Sequence, residues 1–190
     1  MQIVRKASLV VALGLCFGAA MAGEISGSAI LSTGAVNTSV GFLSSARQNI
    51  GVAENNGKIQ STAVIVNGAG NTAAGFLANA TQSIGRATGN GTISGTAIVG
   101  QGVNNAAVGF LSTATQEVGF AKDNGKVQGS LVEATGAFNT AGGFLATARQ
   151  QIGGAQGNGK LSNSVVLGTA QINSAGGFLS TAEQSVGVAK

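Results

Sequence analysis

Hydrophobic and polar positions recur along this chain with a period of 34 residues. An Asn, a Gly-Phe-Leu triplet, an Ala, a Gln and a closing Gly follow one another in five segments, 37–51, 71–85, 105–119, 139–153 and 173–187. Such a period is typical of a solenoid, in which each repeat is one turn of the chain. We therefore predict a single repeat domain over residues 23–190, divided into repeats 23–56, 57–90, 91–124, 125–158 and 159–190.

Each repeat contains two strand-like arms. The first arm, residues 58–66 in the second repeat, is rich in β-branched residues. The second arm, as a strand, would turn one set of side chains inward: Phe76, Ala78, Ala80, Gln82 and Ile84. Charged residues at equivalent positions fall only on the opposite face, which we expect to be the outer one. The predicted fold is all-β, a parallel β-solenoid of five 34-residue rungs with two β-arms per rung.

A helix is an alternative for the second arm. Phe76, Leu77, Ala80 and Ile84 also have helical spacing, so a strand-helix solenoid is possible. The Gly and Thr in the repeated arm disfavour a helix, and a helix gives no reason for a Gln at the same place five times.

Two further local patterns carry expectations. In the first arm Ile59 and Ile65 alternate properly, but Val64 and its equivalents are also apolar, which indicates a bulge or bend nearby. Asn-Gly pairs end four of the repeats, and this dipeptide favours positive φ and a reversal of the chain; the pairs are Asn56-Gly57, Asn90-Gly91, Asn124-Gly125 and Asn158-Gly159.

Repetition at this period has a chemical consequence. In a parallel solenoid, equivalent residues of successive rungs stack about 4.8 Å apart. Identical amides can then bond to the copies above and below, identical rings can stack, and Ala lets the two arms approach closely. A buried amide left unpaired would cost about 1–3 kcal/mol, so a ladder explains the repetition. The predicted assembly ladders are Asn37, Asn71, Asn105, Asn139 and Asn173; Phe42, Phe76, Phe110, Phe144 and Phe178; and Gln48, Gln82, Gln116, Gln150 and Gln184.

If the second arm is a strand, the Leu of each Gly-Phe-Leu triplet lies on its outer face. The five leucines would form an exposed apolar stripe, which is a hypothetical surface for lateral contact between fibres. They are Leu43, Leu77, Leu111, Leu145 and Leu179.

Residues 1–22 have the features of a secretory signal. Arg5 and Lys6 precede an apolar run, and Ala20-Met21-Ala22 forms a cleavage site before Gly23. The run is too short for a comfortable membrane span. We expect a bacterial protein that passes through the periplasm and is secreted, extracellular or held at the cell surface. Cleavage near Ala22-Gly23 would leave a mature chain without cysteine.

Composition argues against an enzyme. Charged residues are 8% of the chain, and His and Tyr are absent. The six acids have no spacing typical of catalysis or metal binding, so no catalytic, cofactor-binding or metal site and no small-molecule substrate is expected. The mature chain has eight basic residues and no basic cluster, which gives no electrostatic case for nucleic-acid binding.

Asn71-Thr72-Ala73 with Gln82, and Asn139-Thr140-Ala141 with Gln150, resemble the repeats of bacterial functional-amyloid subunits of the curlin type. Here eight residues separate Ala from Gln and the repeat is longer than a curlin repeat. The length is more loosely similar to that of Fap-type subunits, without their C-terminal Cys pair. The resemblance implies an exported fibre subunit of a biofilm matrix. Its partners would be further copies of itself, an outer-membrane secretion channel, and a nucleator or chaperone.

The first and last repeats are as regular as the middle ones, so no cap is visible. Two bare β-edges invite end-to-end growth. The expected function is therefore a secreted structural subunit that self-assembles into extracellular amyloid-like fibres of a biofilm matrix or cell surface. One alternative is a minor nucleator of such a fibre. The other is a monomeric adhesin or surface-binding protein, including an ice-binding one, using the column Ser28, Thr62, Thr96, Ser130 and Ser164.

Overall fold

A computed structural model describes residues 24–188. The predicted signal segment, residues 1–22, lies outside them. The described residues form 24 strands and no helix, stacked as five turns that we call rungs. The predicted parallel β-solenoid is confirmed, and the strand-helix alternative is wrong. No helix among these residues is long and apolar enough to cross a membrane.

The strands are named in chain order. Rung 1 contains β1 to β5 (Glu24–Ser26, Ala29–Thr33, Val36–Val40, Leu43–Ile50, Ala53–Asn55). Rung 2 contains β6 to β10 (Lys58–Gln60, Ala63–Asn67, Gly70–Ala74, Leu77–Ile84, Ala87–Gly89). Rung 3 contains β11 to β15 (Thr92–Ser94, Ala97–Gln101, Asn104–Val108, Leu111–Val118, Ala121–Lys122). Rung 4 contains β16 to β20 (Lys126–Gln128, Leu131–Thr135, Phe138–Gly142, Leu145–Ile152, Ala155–Gln156). Rung 5 contains β21 to β24 (Lys160–Ser162, Val165–Thr169, Ile172–Gly176, Leu179–Val186).

Every strand pairs in parallel with its equivalent in the next rung. In β8 and β13 Asn71 pairs with Asn105, and in β9 and β14 Gln82 pairs with Gln116. The strands form five sheets that run along the solenoid, one for each side of a rung. Because the pairing register equals the sequence period, each repeated residue stands in a straight column.

Each predicted arm is divided into two strands by a bend. Between β6 and β7 the backbone turns at Ser61, whose φ is 48°. This turn resets the alternation, so that Ile59 and Val64 are both buried while Ile65 is exposed. The expected bend in the first arm is therefore present, and it explains why Val64 is apolar.

The Asn-Gly turns differ from the prediction in where φ is positive. Positive φ falls one residue earlier, at Asn55 (56°) and at its equivalent in the third rung, Asp123 (60°). The Gly57 amide donates to the Glu54 carbonyl oxygen at 2.8 Å and closes the turn. The equivalent Gly91 is required for space, because a Cβ there would overlap the Ala53 carbonyl.

The core has two parts. The wider part is filled by Ile, Val and Ala side chains, including Ile59, Ile84 and Ile98. The narrower part consists of alanines such as Ala73 and Ala80, from the facing strands β8 and β9 and their equivalents. Alanine lets these two sheets approach closely. The predicted close approach was between the two arms, whereas the alanines lie between the two strands of the second arm. The polar ladders lie next to this narrow part.

Candidate assembly site

The Asn column forms a buried hydrogen-bonded ladder. Asn71 Nδ2 donates to Asn105 Oδ1 at 2.8 Å, and also contacts the carbonyl oxygens of Thr81 (3.0 Å) and Ala46 (3.1 Å). The same amide contact runs from Asn37 to Asn71 and from Asn139 to Asn173. Each Asn therefore ties the two strands of the second arm together and links its rung to the next.

The Gln column forms a second ladder of opposite polarity. Gln116 Nε2 donates to Gln82 Oε1 at 2.8 Å and to the Val103 carbonyl at 3.1 Å. Gln184 Nε2 donates to Gln150 Oε1 at 2.8 Å. In this ladder the donor lies in the later rung, whereas in the Asn ladder it lies in the earlier rung. The solenoid is consequently polar along its axis.

The Phe residues stack as predicted, but their side chains lie outside the core, whereas the prediction placed them inside. Ring centroids of successive Phe residues lie 5.0–5.2 Å apart. The rings are on the outside, with Phe42 71% and Phe110 45% exposed. The reason is the bend between β8 and β9 at Gly75-Phe76, which removes Phe76 from the alternation of β9. Inward positions of that strand begin at Ala78.

The Leu column lies next to these rings on the outside, as the strand interpretation requires. Leu43, Leu77, Leu145 and Leu179 are exposed and Leu111 is half-buried. Together the Phe and Leu columns form a continuous apolar corner along the solenoid, which we call the Phe-Leu ridge.

One charged position of the second arm is less exposed than predicted. Glu117 is only 6% exposed, and its carboxylate accepts from Arg86 at 3.2 Å and from the Ser83 hydroxyl at 3.2 Å. Arg86 also contacts Glu54 at 3.1 Å. The charge is tolerated there because it is paired and hydrogen-bonded. Arg149 and Glu183, which contact each other at 2.9 Å, lie on the outer face as expected.

The Ser/Thr column does not form an exposed face. Thr62, Thr96 and Ser130 are buried. The Thr62 and Thr96 hydroxyls donate to the carbonyl two residues earlier, at 2.8 and 3.0 Å. These residues serve the bend between the first two strands of each rung, and they offer no flat array of hydroxyls to a surface.

A column for which the sequence predicted no separate role is the Gly of each Gly-Phe-Leu triplet. A Cβ on Gly75 would overlap the Gly41 carbonyl oxygen, and one on Gly109 would overlap the Gly75 carbonyl oxygen. The same holds for Gly143 and Gly177. Gly41, in the first rung, would meet nothing within 4 Å. The fivefold repetition was the signal for this column, but the close contact is visible only in the structure.

The two ends of the solenoid are sheet edges. In four of the five sheets the border strands belong to rung 1 and rung 5, and in the fifth sheet they are β5 of rung 1 and β20 of rung 4. Core side chains are less covered there than in the middle rungs, as with Ile30 and Val166. Each end therefore presents unpaired backbone donors and acceptors beside an incompletely covered core.

Within residues 24–188 no three His, Cys, Asp or Glu side chains are grouped so that they could hold a metal ion. The chain matches no family model, no curated protein and no solved structure.

Proposed function

We propose that the protein is a secreted structural subunit that polymerises end to end into extracellular fibres of a bacterial biofilm matrix or cell surface. The observation that carries the proposal is the complementarity of its two open ends. Four of the five sheets run from rung 1 to rung 5, so the strands β1 to β4 of one copy can continue the strands β21 to β24 of another. Polymerisation would pair the edge hydrogen bonds and cover the exposed parts of the core.

The polar ladders support growth in one direction. Asn173 Nδ2 contacts the carbonyl oxygens of Ala148 and Glu183, and it would also donate to Asn37 Oδ1 of the next copy, as Asn71 Nδ2 donates to Asn105 Oδ1. The Gln ladder would continue in the opposite sense, from Gln48 Nε2 of the next copy to Gln184 Oε1. Both ladders continue only if copies are arranged head to tail. Two identical ends facing each other would bring an Asn donor against an Asn donor, or a Gln donor against a Gln donor.

The setting of this fibre follows from the amino-terminal segment and the composition. A secretory signal at residues 1–22 would bring the chain to the periplasm, and an outer-membrane channel would release it. A nucleator or chaperone would then control where growth begins. The end-to-end contacts between copies need no catalytic residue.

The direct test is fibre formation by the purified protein. We expect unbranched fibres in electron micrographs, thioflavin fluorescence, and a reflection near 4.7–4.8 Å along the fibre axis from the stacked rungs. A protein that remains a soluble monomer at high concentration would refute the fibre proposal and favour a monomeric adhesin. If fibres appear only on preformed seeds of another protein, this chain needs a separate nucleator to begin growth.

The Phe-Leu ridge is proposed to hold fibres together side by side. Replacing Leu77 and Leu111 with Lys should leave elongation unchanged but give single fibres in place of bundles, since like charges would line the contact. Electron microscopy and pelleting at low speed measure bundling. The matched control replaces Thr113 and Thr147, which lie outside the ridge in the same sheet, with Lys. Equal bundling in the ridge variant and in this control would contradict the lateral role.

A further inference from the structure

We propose that copies join in one register, the 34-residue step of the solenoid itself, and that two charge pairs select this joint. The inference rests on the proposed function. It names the surfaces that meet: the rung 5 edge of one copy and the rung 1 edge of a second copy of this chain.

The register determines which residues meet. If rung 1 of the next copy continues rung 5, each residue stands above the one that occupies its column. Lys160 then meets Glu24 of the next copy, and Glu183 meets Arg47 of the next copy. Both contacts join opposite charges, and all four side chains are exposed in the single subunit.

The two basic residues lack an opposite charge in their own columns inside the chain. Lys160 stands beside Lys126 in its own column, and Arg47 stands beside Thr81. The joint would place Glu24 between two lysines, Lys160 of the preceding copy and Lys58 of its own. It would likewise place Glu183 between Arg149 and Arg47 of the next copy. Lys160 and Arg47, which have no opposite charge beside them in their own columns, would thus gain one at the joint.

Neighbouring rungs are close enough for such pairs. Arg149 and Glu183 belong to adjacent rungs of one column, and their Nε and Oε2 atoms are 2.9 Å apart. Arg47 of the next copy would occupy the position on the other side of Glu183 at the same step. An exposed ion pair contributes little stability, but opposite charges steer encounter and a like-charge contact opposes it.

The test uses two single reversals that are defective alone and complementary together. Arg47→Glu brings two carboxylates together at every joint, because the introduced side chain faces Glu183. Glu183→Arg brings two guanidinium groups together at every joint, because the introduced side chain faces Arg47. Each variant alone should grow fibres roughly tenfold more slowly than wild type at low salt.

Mixing the two variants should restore growth. In an equimolar mixture they can alternate along the fibre. Half of the joints then pair the two native residues, and the other half pair the two introduced residues with their charges exchanged. A joint of the second kind still brings one guanidinium to one carboxylate. Growth should rise well above that of either variant alone, with both variants present in each fibre.

Controls separate this joint from the general effect of charge. Lys122→Glu makes a charge reversal in the middle rung, between Thr88 and Gln156, and should grow like wild type. In about 1 M salt, where the Debye length is about 3 Å, the defect of each reversal should largely vanish. Far-UV circular dichroism of each soluble variant checks folding. If Glu183→Arg does not fold, the pair Glu24→Lys and Lys160→Glu gives the same mixing test at the other contact.

The outcomes distinguish the two proposals. Wild-type protein that forms no fibres overturns the proposed function. Wild-type fibres, together with a mixture no faster than its separate components, overturn the register while leaving the fibre function standing. Growth of Arg47→Glu alone at the wild-type rate would do the same.

Discussion

Replacing Gly41 with alanine is expected to leave the subunit folded and to stop fibre growth. Within one copy an added Cβ at Gly41 meets nothing within 4 Å, and its φ is not in the left-handed region. In the proposed fibre the same Cβ would overlap the Gly177 carbonyl oxygen of the preceding copy, as a Cβ on Gly75 would overlap Gly41. Thioflavin kinetics and electron microscopy measure growth, and a denaturation midpoint measures the stability of the soluble protein.

Two further substitutions make the result specific. Gly109→Ala introduces the same overlap inside the chain, against the Gly75 carbonyl oxygen, and should destabilise the fold by at least about 3 kcal/mol. Gly142→Ala introduces a Cβ that meets nothing within 4 Å and stands in a column that already contains Ala74 and Val108, so neither stability nor growth should change. Normal growth of Gly41→Ala would contradict end-to-end stacking at this step.

The second large effect is expected from Gln116→Ala. Gln116 is fully buried, and its loss removes the donor to Gln82 Oε1 and to the Val103 carbonyl, as well as the acceptor for Gln150 Nε2. A cavity adds to the cost of these unpaired groups. Together they should lower the free energy of unfolding by roughly 3–5 kcal/mol. Chemical denaturation of soluble protein measures this.

The matched control for that experiment is Thr113→Ala in the same strand. Thr113 is exposed on the outer face, so its loss should change the unfolding free energy by less than about 0.5 kcal/mol. Because Gln116 lies in the middle rung, slower assembly by this variant would follow from instability of the subunit. Equal midpoints for the two variants would show that the Gln ladder contributes little.

Much of the fold could be predicted because the repeat is so regular. Columns of identical Asn and Gln require a register in which each residue lies over its own equivalent, and only a parallel arrangement provides it. The Gln column favoured a strand over a helix for the same reason, and the strand is what the structure contains.

The inward and outward positions near the bends could not be predicted as well. A single strand through the second arm would place Phe76 on the inward face, but the bend at Gly75-Phe76 starts a new alternation at Leu77. Phe76 is therefore exposed although its column does stack. The same alternation predicts an outer position for Glu117, but this residue is buried near the corner that follows β14, where it contacts Arg86.

The period, the columns and the parallel register follow from the order of the amino acids alone, because they depend only on which residue recurs at which distance. Other features emerge only when the rungs are packed: where each arm bends, which side of a bend is buried, and in which direction each amide ladder donates. The close contact between the Gly of each Gly-Phe-Leu triplet and the carbonyl of the neighbouring rung also emerges only from this packing. These features depend on how closely two rungs and two sheets approach, and that distance is set by packing of the whole rung.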